Sequence, residues 1–169
     1  MLISLGHQEI AILNGPRGVS TSEDRFTGYR RALTEAGITT NIMREFYGAF
    51  TQESGHEMTF KALAAAQKPT AIFATNNFIA FGAQKGLQEL GLRVPEDIAL
   101  VGFDDLPPAL VTFPFLTVAA QPAYEMGRKA TEILLNKLDG GASDQFQDVV
   151  LPAEIVIRQS SGQVRKLIH

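Results

Sequence analysis

Two stretches, AIFA (Ala71–Ala74) and IALVGF (Ile98–Phe103), are apolar at nearly every position. A strand with one face in water alternates apolar and polar residues, whereas a strand covered on both faces does not. These runs are too short for ordinary helices, so they read as strands buried on both sides, as in a parallel sheet. Further strands are expected at Glu9–Leu13, Asn41–Phe46, Thr70–Ala74, Thr117–Ala120 and Val149–Arg158. Helical patterns fill the gaps at Glu23–Ala36, Gly55–Gln67, from Asn77 to Gly91, and Pro122–Gly140. Ser20 with Glu23 and Ser54 with Glu57 have the spacing of capping boxes, and Gly37 has the place of a helix stop. Pro107 and Pro108 allow only a short turn after Asp105, and Asp139–Gln147 reads as the flexible piece. Strand and helix alternating through short joints give an α/β chain, a parallel sheet with helices on both faces.

Composition removes several function classes. The chain has 169 residues, 45% of them hydrophobic, enough for a real core. A formal net charge of −3 offers no basic face for nucleic acid. There are no cysteines, which excludes disulfides and thiolate metal sites and makes a cytoplasmic setting the simpler expectation. No apolar stretch is long enough for a membrane span. The opening MLISLGHQEIAILNG lacks the basic start and apolar run of a signal peptide. His7, His56 and His169 are scattered and read as structural or exposed.

In open parallel sheets ligands bind outside the carboxyl ends of the strands. The residues following each strand candidate are Asn14-Gly15-Pro16 with Ser20, Thr21 and Arg25, then Tyr47 to Phe50, then Thr75-Asn76-Asn77, then Asp104-Asp105, and finally Gln121. Five strands thus deliver hydrogen-bonding groups or an aromatic ring to one rim. Each residue also has a plain structural reading. Asp105 and Asn77 can cap the helices they precede, Arg25 can sit in a surface ion pair, and Phe50 can be core. Thr21 and Gln121 can shape helix entries. Adjacent carboxylates on an extended chain diverge, so Asp104–Asp105 is a poor acid–base pair. No histidine–carboxylate cluster supports a metal. No nucleophile elbow, phosphate loop or dinucleotide fingerprint is present. The reading is therefore a binding site with no catalytic residue, metal or cofactor. A guanidinium and a carboxylate facing each other can grip vicinal hydroxyls or a planar ring.

The segments LGHQEIAILNGP, DRFTGYRRALTEAGI, PTAIFATNN with IAFGA, GLRVPEDIALVGFDD, MGRKATEILL and LPAEIVIRQSS occur in that order. Together they resemble the LacI (lactose repressor) family of bacterial transcriptional regulators over nearly the whole chain. The resemblance implies a type I periplasmic-binding-protein-like fold. Residues 1–120 would be one complete lobe, 121–150 the return helix and linker of a second lobe, and 151–169 the last strand and tail. It also implies effector-binding roles, position by position, for Arg25, Asp104, Asn76, Phe50, Thr21 and Gln121. Asn77 stands where the family usually has aspartate, Phe115 where proline is common, and Val118 where threonine is expected. The partners implied are a small sugar-like or nucleobase-like effector, a second copy of the chain, and DNA only through a helix-turn-helix headpiece with no counterpart here. The chain is accordingly expected to be part of a longer regulator and to retain no operator DNA by itself. The alternative is a periplasmic-type solute-binding protein of a transporter.

The last long helix carries Met126, Ala130, Ile133, Leu134 and Leu138 on one face. Such a stripe is expected to pack on its own lobe, on a partner chain, or by exchange between copies. Phe78 and Phe81 are candidate dimer contacts and equally good core residues.

Overall fold

The computed structural model describes residues 1–106, 114–139 and 148–162. Its centre is one six-stranded sheet in the order β2-β1-β3-β4-β5-β6. The strands are β1 (Ile10–Asn14), β2 (Glu45–Tyr47), β3 (Ala71–Ala74), β4 (Ala99–Phe103), β5 (Thr117–Ala120) and β6 (Glu154–Val156). The first five are parallel and β6 runs antiparallel to β5. The sheet is therefore mixed at one edge. The expected Val149–Arg158 strand contracts to three paired residues there, and Val149 and Val150 are exposed. The expected Asn41–Phe46 strand begins instead as a 3-10 turn, because the Asn41 side chain accepts the Met43 N–H at 2.9 Å. Such a local bond competes with the sheet ladder.

Side-chain alternation sorts the core into two layers. Ile10, Ile12, Ala71 and Val101 face α1 (Ser20–Glu35), meeting Tyr29 and Leu33. Ala11, Leu13, Ile72, Ala74 and Leu100 face α2 (Gln52–Leu63) and α3 (Asn77–Glu89). The α2 and α3 backbones touch through glycine. A Cβ at Gly55 would lie 2.3 Å from the Ile79 carbonyl oxygen, and one at Gly82 would lie 1.9 Å from that of Gln52.

Helix starts differ from the expected capping boxes. Val19 precedes α1 and no side chain caps it; Glu23 instead accepts the Gly18 N–H at 3.0 Å. Thr51, not Ser54, caps α2, accepting the Ser54 N–H at 3.2 Å. Asn76, not Asn77, caps α3, accepting the Ile79 N–H at 3.1 Å. For α2 and α3 the residue with extended backbone just outside the first turn takes the cap. Two glycine stops are as expected, whereas α2 ends at Leu63, short of the expected Gln67. Gly37 at φ 70° closes α1, with Ile38 N–H bonded to the Leu33 carbonyl at 2.9 Å. Gly91 at φ 71° does the same for α3, with Leu92 bonded to Leu87 at 2.9 Å.

The helix α4 (Ala123–Leu138) buries no residue. It follows β5 through Gln121-Pro122, and of the three packings expected for its apolar face, that on its own lobe does not occur. Leu134, Leu135 and Leu138 are 58%, 53% and 72% exposed. Its polar side is internally paired, Arg128 with both Glu125 and Glu132. Phe78 is half exposed and Phe81 partly buried on α3. Among the described residues, no helix is long and apolar enough to cross a membrane. The proline turn after Asp105, the Gly-Gly-Ala-Ser-Asp segment and His169 lie outside the described residues.

Candidate functional site

The strand order reverses direction at β1. From β1 the chain moves outward to β2 over one face, then returns to β3 on the other side of β1 over the opposite face. The loops therefore part between the carboxyl ends of β1 and β3, which leaves a crevice in any doubly wound sheet. Arg25, from the second turn of α1, reaches into it. Its Nη1 donates to the Thr75 carbonyl oxygen, just past β3, at 2.7 Å. Its guanidinium carbon lies 4.0 Å from the centre of the Phe103 ring at the end of β4. Its Nη2 is 3.6 Å from Asp104 Oδ2. The two side chains are 14% and 26% exposed. Burial lowers the Arg25 pKa and the Asp104 charge acts in the opposite direction. The guanidinium is held on three sides, while its bond to the carboxylate is long. A ligand hydroxyl can therefore take up hydrogen-bonding capacity on both groups.

The two adjacent aspartates part company through one backbone angle. Asp104 has φ 69°, the left-handed region, where aspartate is tolerated better than most side chains. The turn sends Asp104 toward Arg25. There Gln121 Nε2, arriving from the end of β5, donates to Asp104 Oδ1. Asp105 points elsewhere. Arg158, beyond β6, donates from Nη1 to Asp105 Oδ1 at 2.8 Å and from Nη2 to Oδ2 at 2.6 Å. The same Nη1 donates to the Leu116 carbonyl at 2.8 Å. The Arg158 bond holds the Asp105 carboxyl below the usual carboxylate range, with help from the Leu106 N–H and against partial burial. The structural reading of Asp105 as a local cap thus covers only its Leu106 contact; its main partner is Arg158. Here Asp105 is a clamp between β4 and the returning chain.

The remaining predicted site residues are distributed around this point. Phe50 packs over the β1–α1 turn, where a Cβ at Gly15 would strike its ring at 2.2 Å. Thr21 is exposed one turn before Arg25. It shares with Arg25 the end of an apolar groove of about 640 Å³ along α1 and the β3–β5 face. The Asn76 oxygen is committed to the α3 cap. A smaller pocket of about 160 Å³ lies between the aspartates and Asn77, Phe81 and Phe115. Sequence reasoning brought together Arg25, Asp104 and Gln121. It placed Thr75 at the rim without a partner, and it missed Phe103 and Arg158. Alternation from Val101 places Phe103 on the α1 face, so that signal was available. Nothing local marks Arg158, 53 residues from its partner. Among the described residues, no group of three potential metal ligands occurs.

A family model for the periplasmic binding protein-like domain matches residues 1–161. The chain belongs to that family. Among its relatives is the HTH-type transcriptional repressor PurR of Haemophilus influenzae, 36% identical over 162 residues, covering 94% of this chain and 48% of the repressor. A sugar-binding transcriptional regulator of the LacI family from Escherichia coli, in a complex with phosphate, superposes with a TM-score of 0.82 at 36% identity. That match covers 94% of this chain and 56% of the regulator. The transcriptional regulator CelR in its cellobiose complex gives a TM-score of 0.86 at 34% identity, covering 94% of this chain and 48% of CelR. The periplasmic-binding-protein-like domain thus occurs here in the form used by LacI-type repressors. The chain spans about half the length of the curated relatives it matches.

Proposed function

We propose that this chain is the effector-binding portion of a LacI-type bacterial transcriptional regulator, reading a small hydroxylated ligand of the sugar class. The observation that carries the reading is the Arg25–Asp104 pair at the switch point, supported by Thr75, Phe103 and Gln121. Guanidinium and carboxylate supply paired donors and acceptors, which suits vicinal hydroxyls. Relatives with sugar in their descriptions, the Escherichia coli regulator and CelR, support that ligand class. The arrangement offers binding without a nucleophile or an acid–base pair, so the chain works by occupancy rather than by turnover. Its relatives are repressors, and a transporter's solute-binding protein is not the favoured reading.

In this reading residues 1–120 form the lobe that holds Arg25 and Asp104. Residues 121–150 are the return helix and linker of a second lobe, and 151–169 come back to the first. The exposed apolar face of α4 fits that assignment. Ligand held between lobes shifts the population of DNA-competent regulators, and the working protein is a cytoplasmic homodimer that meets DNA through the part of its relatives this chain does not span. Asn76, Phe50 and Thr21 contribute the outer contacts.

A thermal-shift screen with monosaccharides and disaccharides, nucleobases serving as the comparison set, tests the reading. A sugar should raise the melting temperature of the protein and lose that effect in Arg25→Met. A screen with no sugar hit, or a hit that Arg25→Met leaves untouched, would overturn it.

A further inference from the structure

Three side chains behind Arg25 have a shared deficiency. Asn14, Ser22 and Thr75 are each 0% exposed. Asn14 Oδ1, Ser22 Oγ and Thr75 Oγ1 have no hydrogen-bond partner. Buried polar atoms in folded proteins are nearly always satisfied, by protein or by ordered water.

The fold makes the three residues neighbours. Leu13 and Ala74 are paired across β1 and β3, so Asn14 and Thr75 are the next neighbours at the carboxyl ends. Alternation puts Asn14 on the face of Ile10 and Ile12, and Thr75 on the face of Ala71 and Phe73, both toward α1. Ser22 is buried in the first turn of α1, and Asn14 Nδ2 donates to its carbonyl at 3.1 Å. A Cβ at Gly15 would lie 2.5 Å from Ser22 Oγ and 2.2 Å from the Phe50 ring, so Ser22 and Phe50 both pack against Gly15.

We propose that Asn14, Ser22 and Thr75 form a buried hydration site at the switch point. It holds an ordered water that ties the first turn of α1 to β1 and β3. The chemistry selects water. Two hydroxyls can donate or accept and one amide oxygen accepts, which suits a neutral molecule with two donors and two acceptors. A cation is disfavoured because the Arg25 guanidinium is bonded to the Thr75 carbonyl. An anion is disfavoured because the unpartnered Asn14 oxygen can only accept and Asp104 stands beside Arg25. The water has a consequence for Arg25. Ser22 lies three residues before Arg25 on α1, and Thr75 holds Arg25 through its carbonyl. The three residues are positioning residues for the guanidinium, and this holds whether or not a sugar is the effector.

Thr75→Val tests the site through the sign of its effect. Replacing an orphaned buried hydroxyl by a methyl of the same shape stabilises a protein, whereas removing a partner from a bound water destabilises it. The melting temperature should fall by about 3 °C or more, and Ser22→Ala should also lower it. A rise in either variant would overturn the proposal. A crystal structure of the unaltered protein should show one density peak within hydrogen-bond distance of all three oxygens; an empty site there would overturn it equally. The Arg25 Nε–Hε resonance tests the positioning. It should move or broaden in Thr75→Val but not in Ala62→Gly, a core change on the opposite face of the sheet. An unmoved Arg25 signal in Thr75→Val would sink that role.

Discussion

The Asp105–Arg158 clamp closes the returning chain onto β4, and a double-mutant cycle measures it. Asp105→Ala, Arg158→Ala and the double variant remove the two charged hydrogen bonds at 2.8 and 2.6 Å while cancelling the Leu116 contact that Arg158 makes alone. Hydrogen bonds to charged groups contribute about 1.5–3 kcal/mol when shielded, and exposed ion pairs about 0.2–1 kcal/mol. The Arg158 side chain is 17% exposed and that of Asp105 33%, between those limits. A coupling of about 1–2 kcal/mol follows from the intermediate screening. For a chain of this length that is a shift in melting temperature of roughly 2–8 °C. The Asp105 pKa is lowered in the fold, chiefly by Arg158. Its stabilisation is therefore fully present above the ordinary carboxylate range and is lost as pH falls through the lowered folded value. Urea unfolding of all four proteins at neutral pH and again at acid pH gives both quantities. A coupling below about 0.3 kcal/mol, or one that grows on acidification, would refute the reasoning.

Other outcomes follow from contacts already described. Gly82→Ala places a Cβ against the Gln52 carbonyl and should destabilise by about 3 kcal/mol or more, read by urea midpoint. Gly28→Ala, on α1 where a Cβ meets nothing within 4 Å, should stabilise by about 0.5–1 kcal/mol. Asp104→Asn keeps a residue that accepts the left-handed angle and should melt at a higher temperature than Asp104→Ala, which does not. Leu134→Lys with Leu138→Lys on exposed α4 should leave the melting temperature nearly unchanged while reducing self-association in sedimentation runs.

The parallel sheet was legible because runs such as AIFA and IALVGF leave few alternatives, and the glycine stops at 37 and 91 were legible because a positive φ requires them. Helix starts were less so. Ser20, Ser54 and Asn77 each have the chemistry of a cap, and only the backbone angle selects Val19, Thr51 and Asn76 as the boundary residues. The edge strand β6 was overestimated because Val149–Arg158 is apolar enough for a strand, yet only three of its residues find a partner in β5. The site divides in the same way. Arg25 and Asp104 follow from position at strand and helix ends. Arg158 is fixed by tertiary contact alone, and the divergence of Asp104 from Asp105 depends on a single φ of 69°.

The central claim is that these neighbouring aspartates do separate work, Asp104 at the ligand and Asp105 in the fold. Calorimetric titration of the strongest sugar from the screen into Asp104→Asn and Asp105→Asn tests it most directly. The account predicts that Asp104→Asn abolishes the binding heat and that Asp105→Asn keeps the affinity of the unaltered protein within a few-fold. Full binding by Asp104→Asn, or equal loss in both variants, would contradict it.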